Sequence, residues 1–379
     1  MSAPVGLYVH VPFCTAKCHY CDFNSYAGLD RLFGTYVEAV GKEIAMQPEG
    51  LALRTIFFGG GTPSLIEPSD LGRVLKAVEA RFAVPNGIEI TMEANPGTVA
   101  EARLAAFRAL GVNRISFGVQ SFDAGLLADL GRIHDPDQAA SARRAARAAG
   151  FDSVNLDFIY GLPNQTLGQW RDTLTRAVEL APEHLSLYSL TVEPGTLFFR
   201  RAEQGRLPLP DEDLVADMYE LADDVLTAAG YEQYEISNWS RGHEHRCQHN
   251  LGYWRNLDYL GVGPGAHSWF GGERYVDTRS PIAWAKQIAD GASPIAEREQ
   301  IPDDLQLGET VMLGLRLMEG IDLDALSMRF GTDARARFAE PIRETIELGL
   351  LVEDGSRIRL SSRARLLGNE VFRRFLTAA

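Results

Sequence analysis

The 379-residue sequence has little cysteine, four residues in all, and too little positive charge to balance its acids: 37 Lys and Arg against 51 Asp and Glu, for a net charge of −14. So few thiols in a chain of this size exclude a disulfide framework as the source of stability. The deficit of basic residues argues against nonspecific nucleic-acid binding, which rests on neutralising phosphates. It leaves room for a local basic pocket that takes a carboxylated ligand. The first apolar run is far too short for a membrane span or a signal sequence, and no basic segment precedes it. There is no internal repeat and no low-complexity segment beyond an alanine-rich stretch near 139–149. These absences describe a cytoplasmic protein, in a compartment where thiols stay reduced. With 45% hydrophobic and 23% charged residues, the chain can bury the core of one large domain and a small one.

Three of the four cysteines fall within eight residues, Cys14-Thr-Ala-Lys-Cys18-His-Tyr-Cys21, directly after the apolar run Val5–Val11. Thiolates at these gaps can wrap one side of a compact metal centre. A four-iron cubane normally takes one thiolate per iron, and the remaining cysteine, Cys247, is far away in sequence. Three protein ligands would leave one iron open to a small molecule, as a catalytic zinc keeps a free position. The plainer readings are a structural zinc completed by His19, or ordinary buried thiols. Ligand count favours the cluster.

From Val5 to about Leu190, strand-like runs (Val5–Val11, Thr55–Phe58, Ile88–Glu93, Arg114–Val119, Val154–Tyr160, His184–Thr191) alternate with amphipathic helical stretches. Such alternation predicts a parallel sheet with helices on its faces. Six units fall short of a full eight-unit barrel, so the expectation is a partial, open (β/α)6 barrel over 1–237, with a doubly wound open sheet as the alternative. An irregular His- and Trp-rich segment is expected over 238–300. Three helices and a hairpin turning at Asp354-Gly355 predict a winged-helix-like domain over 301–379. Ligands of parallel barrels bind at the carboxyl ends of the strands. Those ends carry Gly59-Gly60-Gly61-Thr62, Glu93 and Asn95, Gln120 and Asp157, with Arg132 in the loop after the fourth strand. The glycines are expected to let backbone N–H groups approach a ligand.

The CxxxCxxC motif and its aromatic loop, Cys21-Asp-Phe-Asn-Ser-Tyr26, resemble the radical S-adenosylmethionine (SAM) superfamily. That resemblance implies a [4Fe–4S] cluster whose open iron binds SAM through its amino and carboxylate groups, and reductive cleavage of SAM to a 5′-deoxyadenosyl radical. Gly-Gly-Gly-Thr-Pro-Ser, Glu93-Ala-Asn-Pro, Gly118-Val-Gln120-Ser-Phe and Asp157-Phe-Ile-Tyr-Gly-Leu-Pro163 are similar, more narrowly, to the oxygen-independent coproporphyrinogen III oxidase family, over nearly the whole chain. By position the resemblance implies that Tyr8, Gly60, Gly61, Thr62, Glu93, Gln120, Arg132 and Asp157 contact SAM, with Arg132 on its carboxylate. The decarboxylating branch carries a further cysteine two residues after the motif and a longer N-terminal arm. Here that position is Phe23, and 13 residues precede Cys14. These features and His249-Asn-Leu-Gly-Tyr-Trp254 resemble the haem chaperone branch, HemW.

The histidines His243, His245, His249 and His267 and the tryptophans Trp239, Trp254, Trp269 and Trp284 crowd into one stretch. Imidazole ligates haem iron and flat rings line macrocycle pockets, so this stretch is the expected haem site, with His249 as its candidate ligand. A packed capping segment is the competing reading. The expected function is a haem chaperone that passes haem to an unidentified acceptor protein without turning over coproporphyrinogen. Coproporphyrinogen III dehydrogenation is the alternative, and RNA modification is a third reading that the acidic balance disfavours. No nucleic-acid partner is expected, while a homodimer and a transient contact with a membrane protein are compatible with the sequence.

Overall fold

A computed structural model describes residues 3–377. The six apolar runs form parallel strands β1 (Val5–Val11), β2 (Leu53–Gly60), β3 (Glu89–Ala94), β4 (Arg114–Gln120), β5 (Ser153–Tyr160) and β6 (His184–Ser189), hydrogen-bonded to one another in chain order. They are apolar nearly throughout because helices cover the outer face of the curled sheet. Leu104 and Phe107 of the helix Glu101–Ala109 and Trp170 and Leu174 of Leu167–Glu179 join Ile56, Phe117 and Leu156 in one core. Two helix starts are written locally: Asp135 with Gln138, and Thr166 with Gln169, form capping boxes that satisfy backbone N–H groups otherwise left orphaned.

The sheet stays open between β1 and β6, as expected of a partial barrel, and residues 232–300 extend both of its edges. Tyr259–Val262 pairs parallel with β1, then continues antiparallel through His267–Phe270, Glu273–Asp277 and Ile295–Gln300. At the other edge Asn238–Ser240 pairs antiparallel with β6. The expectation of an irregular segment over 238–300 is therefore corrected. Its strands are short, half-polar and broken by Gly263 and Gly265, so they carry little periodic signal. Trp239, Trp269 and Trp284 are buried packing residues rather than the walls of a macrocycle pocket.

The HNLGYW motif is the helix Gln248–Trp254, which closes the amino-terminal end of the barrel. The Glu89 carboxylate, at the start of β3, accepts the N–H groups of Gln248 (2.9 Å) and His249 (3.0 Å), where helix dipole and unpaired donors favour an anion. His249 is 2% exposed. Its Nδ1 lies 2.8 Å from the Thr55 hydroxyl, its Nε2 2.8 Å from the Tyr253 hydroxyl, and its ring stacks on Phe57. Burial pushes its pKa down to about 3. Both nitrogens are engaged inside the barrel, so His249 is corrected from candidate haem ligand to structural plug.

The C-terminal unit packs helices Asp303–Gly314, Leu323–Phe330, Ala339–Glu347 and Gly368–Thr377 around a hairpin, Leu351–Asp354 with Arg357–Leu360, flanked by Ile321–Asp322. It has its own core of Val311, Leu315, Phe338, Ile358 and Phe375. Asn256 Nδ2 donating to Thr310 (2.9 Å) and Arg365 paired with Asp223 (3.2 Å) tie it to the barrel. Among the described residues no helix is long and apolar enough to cross a membrane.

Replacing His249 with Ala removes a packed ring and strands the Thr55 and Tyr253 hydroxyls. Thermal unfolding should show a loss of about 2–5 kcal/mol. An unchanged melting temperature would contradict the plug.

Candidate functional site

The cysteine loop leaves β1 at Val11 and is closed at its base by a two-residue pairing, Phe13–Cys14 against Tyr26–Ala27. Within it, Lys17 Nζ donates to Phe23 O (2.6 Å) and Ser25 Oγ (2.9 Å). Outside it, the His19 N–H donates to Leu130 O (3.0 Å), and His19 Nδ1 lies 2.8 Å from Asp129 O. His19 is also absent from the walls of the cavity that the three thiols share, which corrects the zinc alternative. Among the described residues no three His, Cys, Asp or Glu side chains converge on a single-ion site. All three thiols are nevertheless partly accessible and face one cavity of about 440 Å³. Thiols spread around a shared opening suit a polynuclear centre better than one ion.

The end of β2 grips this loop. Gly61 N–H donates to Val11 O and Thr62 N–H to Phe13 O, both at 2.7 Å, and Gly60 N–H donates to Glu93 Oε2 at 3.1 Å. A Cβ on Gly61 would stand 2.5 Å from Phe13 O, and one on Gly60, at φ +111°, 2.6 Å from the His10 ring. The glycines are required for close approach, but to the protein's own backbone. The expectation that their N–H groups reach a ligand is corrected, because those donors are already spent.

The cavity brings Gly60, Gly61, Thr62, Glu93, Gln120, Arg132 and Asp157 together with Cys14, Cys18 and Cys21. Tyr8 is not among its walls. It turns its hydroxyl to His10 Nδ1 (3.0 Å) and lines two adjoining cavities with Glu93. Gln120 sits at φ +67°, next to an irregularity in the β4–β5 register, a conformation that non-glycine residues hold mainly where function requires it. Thr62 Oγ1 reaches Cys14 Sγ at 3.7 Å, and Arg132 reaches Cys18 Sγ at 3.6 Å while bonding Gly118 O.

Two polar atoms in this cavity's walls, Arg132 Nε and Asn95 Oδ1, are buried without a partner among the described residues. Orphaned groups of this kind fit a site made to be completed by a ligand. Asn95, Ser116 and Tyr188 also line the cavity and are absent from the residues assigned by resemblance. The period of two along β4 places Ser116, Gly118 and Gln120 on one face, a signal that could have found the serine. Burial, reinforced by the Asp157 charge, pushes Glu93 up to about 8. Asp157 is raised by burial too, against hydrogen bonds from Ser116 (2.8 Å) and Asn155 (2.7 Å). Two carboxyls held above their usual range by burial, even with the Arg114 guanidinium near both, suit a ligand that brings a cationic group, while Arg132 on the same cavity suits its carboxylate. Cys247 belongs elsewhere: it is fully buried against Glu89, its thiol pushed up to about 12 by burial.

The family model of the radical SAM superfamily matches residues 8–177, and that of the HemN C-terminal domain matches 301–367. The heme chaperone HemW of Bacillus subtilis is 36% identical over 97% of this chain and 98% of its own length, and that of Mycobacterium tuberculosis 39% identical over 98% and 95%. The chain belongs to the HemW family. Another HemW, from Escherichia coli, is 46% identical over 70% of each chain. Among solved structures, coproporphyrinogen III oxidase (HemN) of E. coli, described as a radical SAM enzyme, superposes with a TM-score of 0.87 at 25% identity, covering 99% of this chain and 91% of that one. Membership of this HemW family within the radical SAM superfamily implies a [4Fe–4S] cluster and SAM. The thiol-lined cavity with its raised acids, its guanidinium and its two unpartnered polar atoms fits both.

Glu93 should set the pH dependence of SAM binding. Below about pH 8 its carboxyl is protonated in the empty cavity, and a cationic ligand that draws on the carboxylate must first displace that proton. Affinity should rise about tenfold per pH unit as pH approaches 8, then level off. Calorimetric titration checks this, with Glu93→Gln giving a flat profile. A flat profile for the unaltered protein would contradict it.

Proposed function

We propose that this chain is a haem chaperone of the radical SAM fold, which binds haem and passes it to an acceptor protein in the cytoplasm. Cys14, Cys18 and Cys21 hold the cluster, and Gly60, Gly61, Thr62, Glu93, Gln120, Arg132 and Asp157 shape the SAM cavity beside it. The observation that carries this reading is the end-to-end similarity to curated heme chaperones, 36–39% identical over nearly all of both chains, against 25% for the coproporphyrinogen oxidase of the same fold. When bound, the cluster supplies an electron to SAM. Arg132, beside the Cys18 sulfur, would orient the SAM carboxylate. Glu93 and Asp157 would face the cationic part of the ligand.

Phe23 favours the chaperone over the decarboxylating alternative. It stands where that branch has a further cysteine, and it presents an apolar ring, 60% exposed, at the edge of the cavity. Binding a porphyrinogen accelerates nothing unless groups act in the transition state, and a phenyl ring offers no proton or thiol.

Anaerobically reconstituted protein should bind haem at about one per chain and convert no coproporphyrinogen III with SAM and reductant present. Alanine at Cys14, Cys18 or Cys21 should abolish the cluster's visible absorbance, whereas Cys247→Ala should keep it. Formation of protoporphyrinogen IX, or failure to bind haem, would overturn the reading.

A further inference from the structure

A second cavity of about 670 Å³ adjoins the first, within the size range of small-molecule and cofactor sites (about 300–1,000 Å³). One wall is the exit of the cysteine loop with Phe23; the other is the segment carrying Tyr259, His267 and Arg279. Phe23 lines both cavities. The two walls are bolted together by Asn24, whose Nδ2 donates to Pro264 O (2.7 Å) and Arg279 O (2.9 Å). Gly265 allows this: at φ +77°, a Cβ there would lie 2.6 Å from the Asn24 amide.

The histidines in and next to these cavities differ in what their rings are free to do. His10 is spent, with Nε2 at 2.8 Å from Asn24 O and Nδ1 on Tyr8, and His249 is the plug. His267 is exposed at the start of its strand, and neither ring nitrogen has a hydrogen-bond partner among the described residues. Partial enclosure, then the guanidiniums of Arg279 and Arg274, lower its pKa and keep the imidazole neutral at pH 7, the form that ligates iron. Lys17 is consumed by the loop, but Arg279 is exposed and its guanidinium has no acidic partner within the described residues. A free neutral imidazole, an unpaired guanidinium and an exposed aromatic ring around one cavity match the three parts of haem: iron, propionate and macrocycle.

We propose that haem is carried in this second cavity, ligated through His267, with a propionate on Arg279 and Phe23 against the ring. The inference rests on the chaperone reading and locates the cargo beside the SAM cavity, with Tyr253 of the HNLGYW motif in its wall and His249 outside it.

The test is a haem titration of the reconstituted full chain, followed by absorbance. His267→Ala should lose the histidine-ligated spectrum and weaken binding at least about tenfold, and His267→Gly should regain that spectrum with added imidazole. Arg279→Ala should weaken haem and iron-free protoporphyrin alike, by about tenfold, whereas His267→Ala should leave protoporphyrin unaffected. Cluster absorbance and SAM affinity, unchanged in all three variants, report that the fold is intact. If the unaltered chain binds haem and His267→Ala keeps both spectrum and affinity, the inference is overturned and the chaperone reading stands. If the unaltered chain binds no haem, the chaperone reading falls, and the inference with it.

Discussion

The site depends on how an irregular loop is held at the mouth of a regular barrel. A segment with three thiols and only a two-residue pairing at its base cannot position them by itself. Here the turn that follows β2 does it, with two backbone hydrogen bonds from Gly61 and Thr62 to the start of the loop. Each such bond contributes only about 1 kcal/mol net. The steric demand at Gly61 decides more, since any side chain would enter the Phe13 carbonyl. The same turn hands the Gly60 N–H to Glu93, so one constraint sets both the thiols and the acid opposite them.

The two ends of the barrel have opposite chemistry. At the carboxyl end, the thiols, two acids and Arg132 open onto one cavity and Gln120 is held at φ +67°, a cost a fold bears where a ligand repays it. At the amino end, Glu89, Thr55, His249 and Tyr253 satisfy one another. A motif that reads as a ligand site in sequence thus stabilises the scaffold, and the groups available for binding lie on the cysteine loop and the edge strands.

The repeating part of the fold was legible because burial on both faces makes each parallel strand a continuous apolar run. β1 was read with its observed bounds. The edge strands of 232–300 were not legible, since they are short and half-polar and take their pairing from a distant partner, β1 or β6. Cys14, Cys18, Cys21 and the strand-end residues stood out because cysteine spacing and acids after apolar runs are local signals. His249 misled for the same reason: sequence shows an imidazole but not that Thr55, 194 residues away, occupies it. The freedom of His267 is likewise a tertiary fact, visible only once its neighbours are in place.

The account puts SAM and haem in adjoining cavities that share Phe23, Gly60 and Glu93 as walls, with haem held by His267 and Arg279, which line the second cavity and not the first. Titrating SAM calorimetrically into protein already saturated with haem tests this most directly. One SAM should bind per chain while the haem spectrum persists. Stoichiometric displacement of haem by SAM would contradict it, because a single cavity would then serve both.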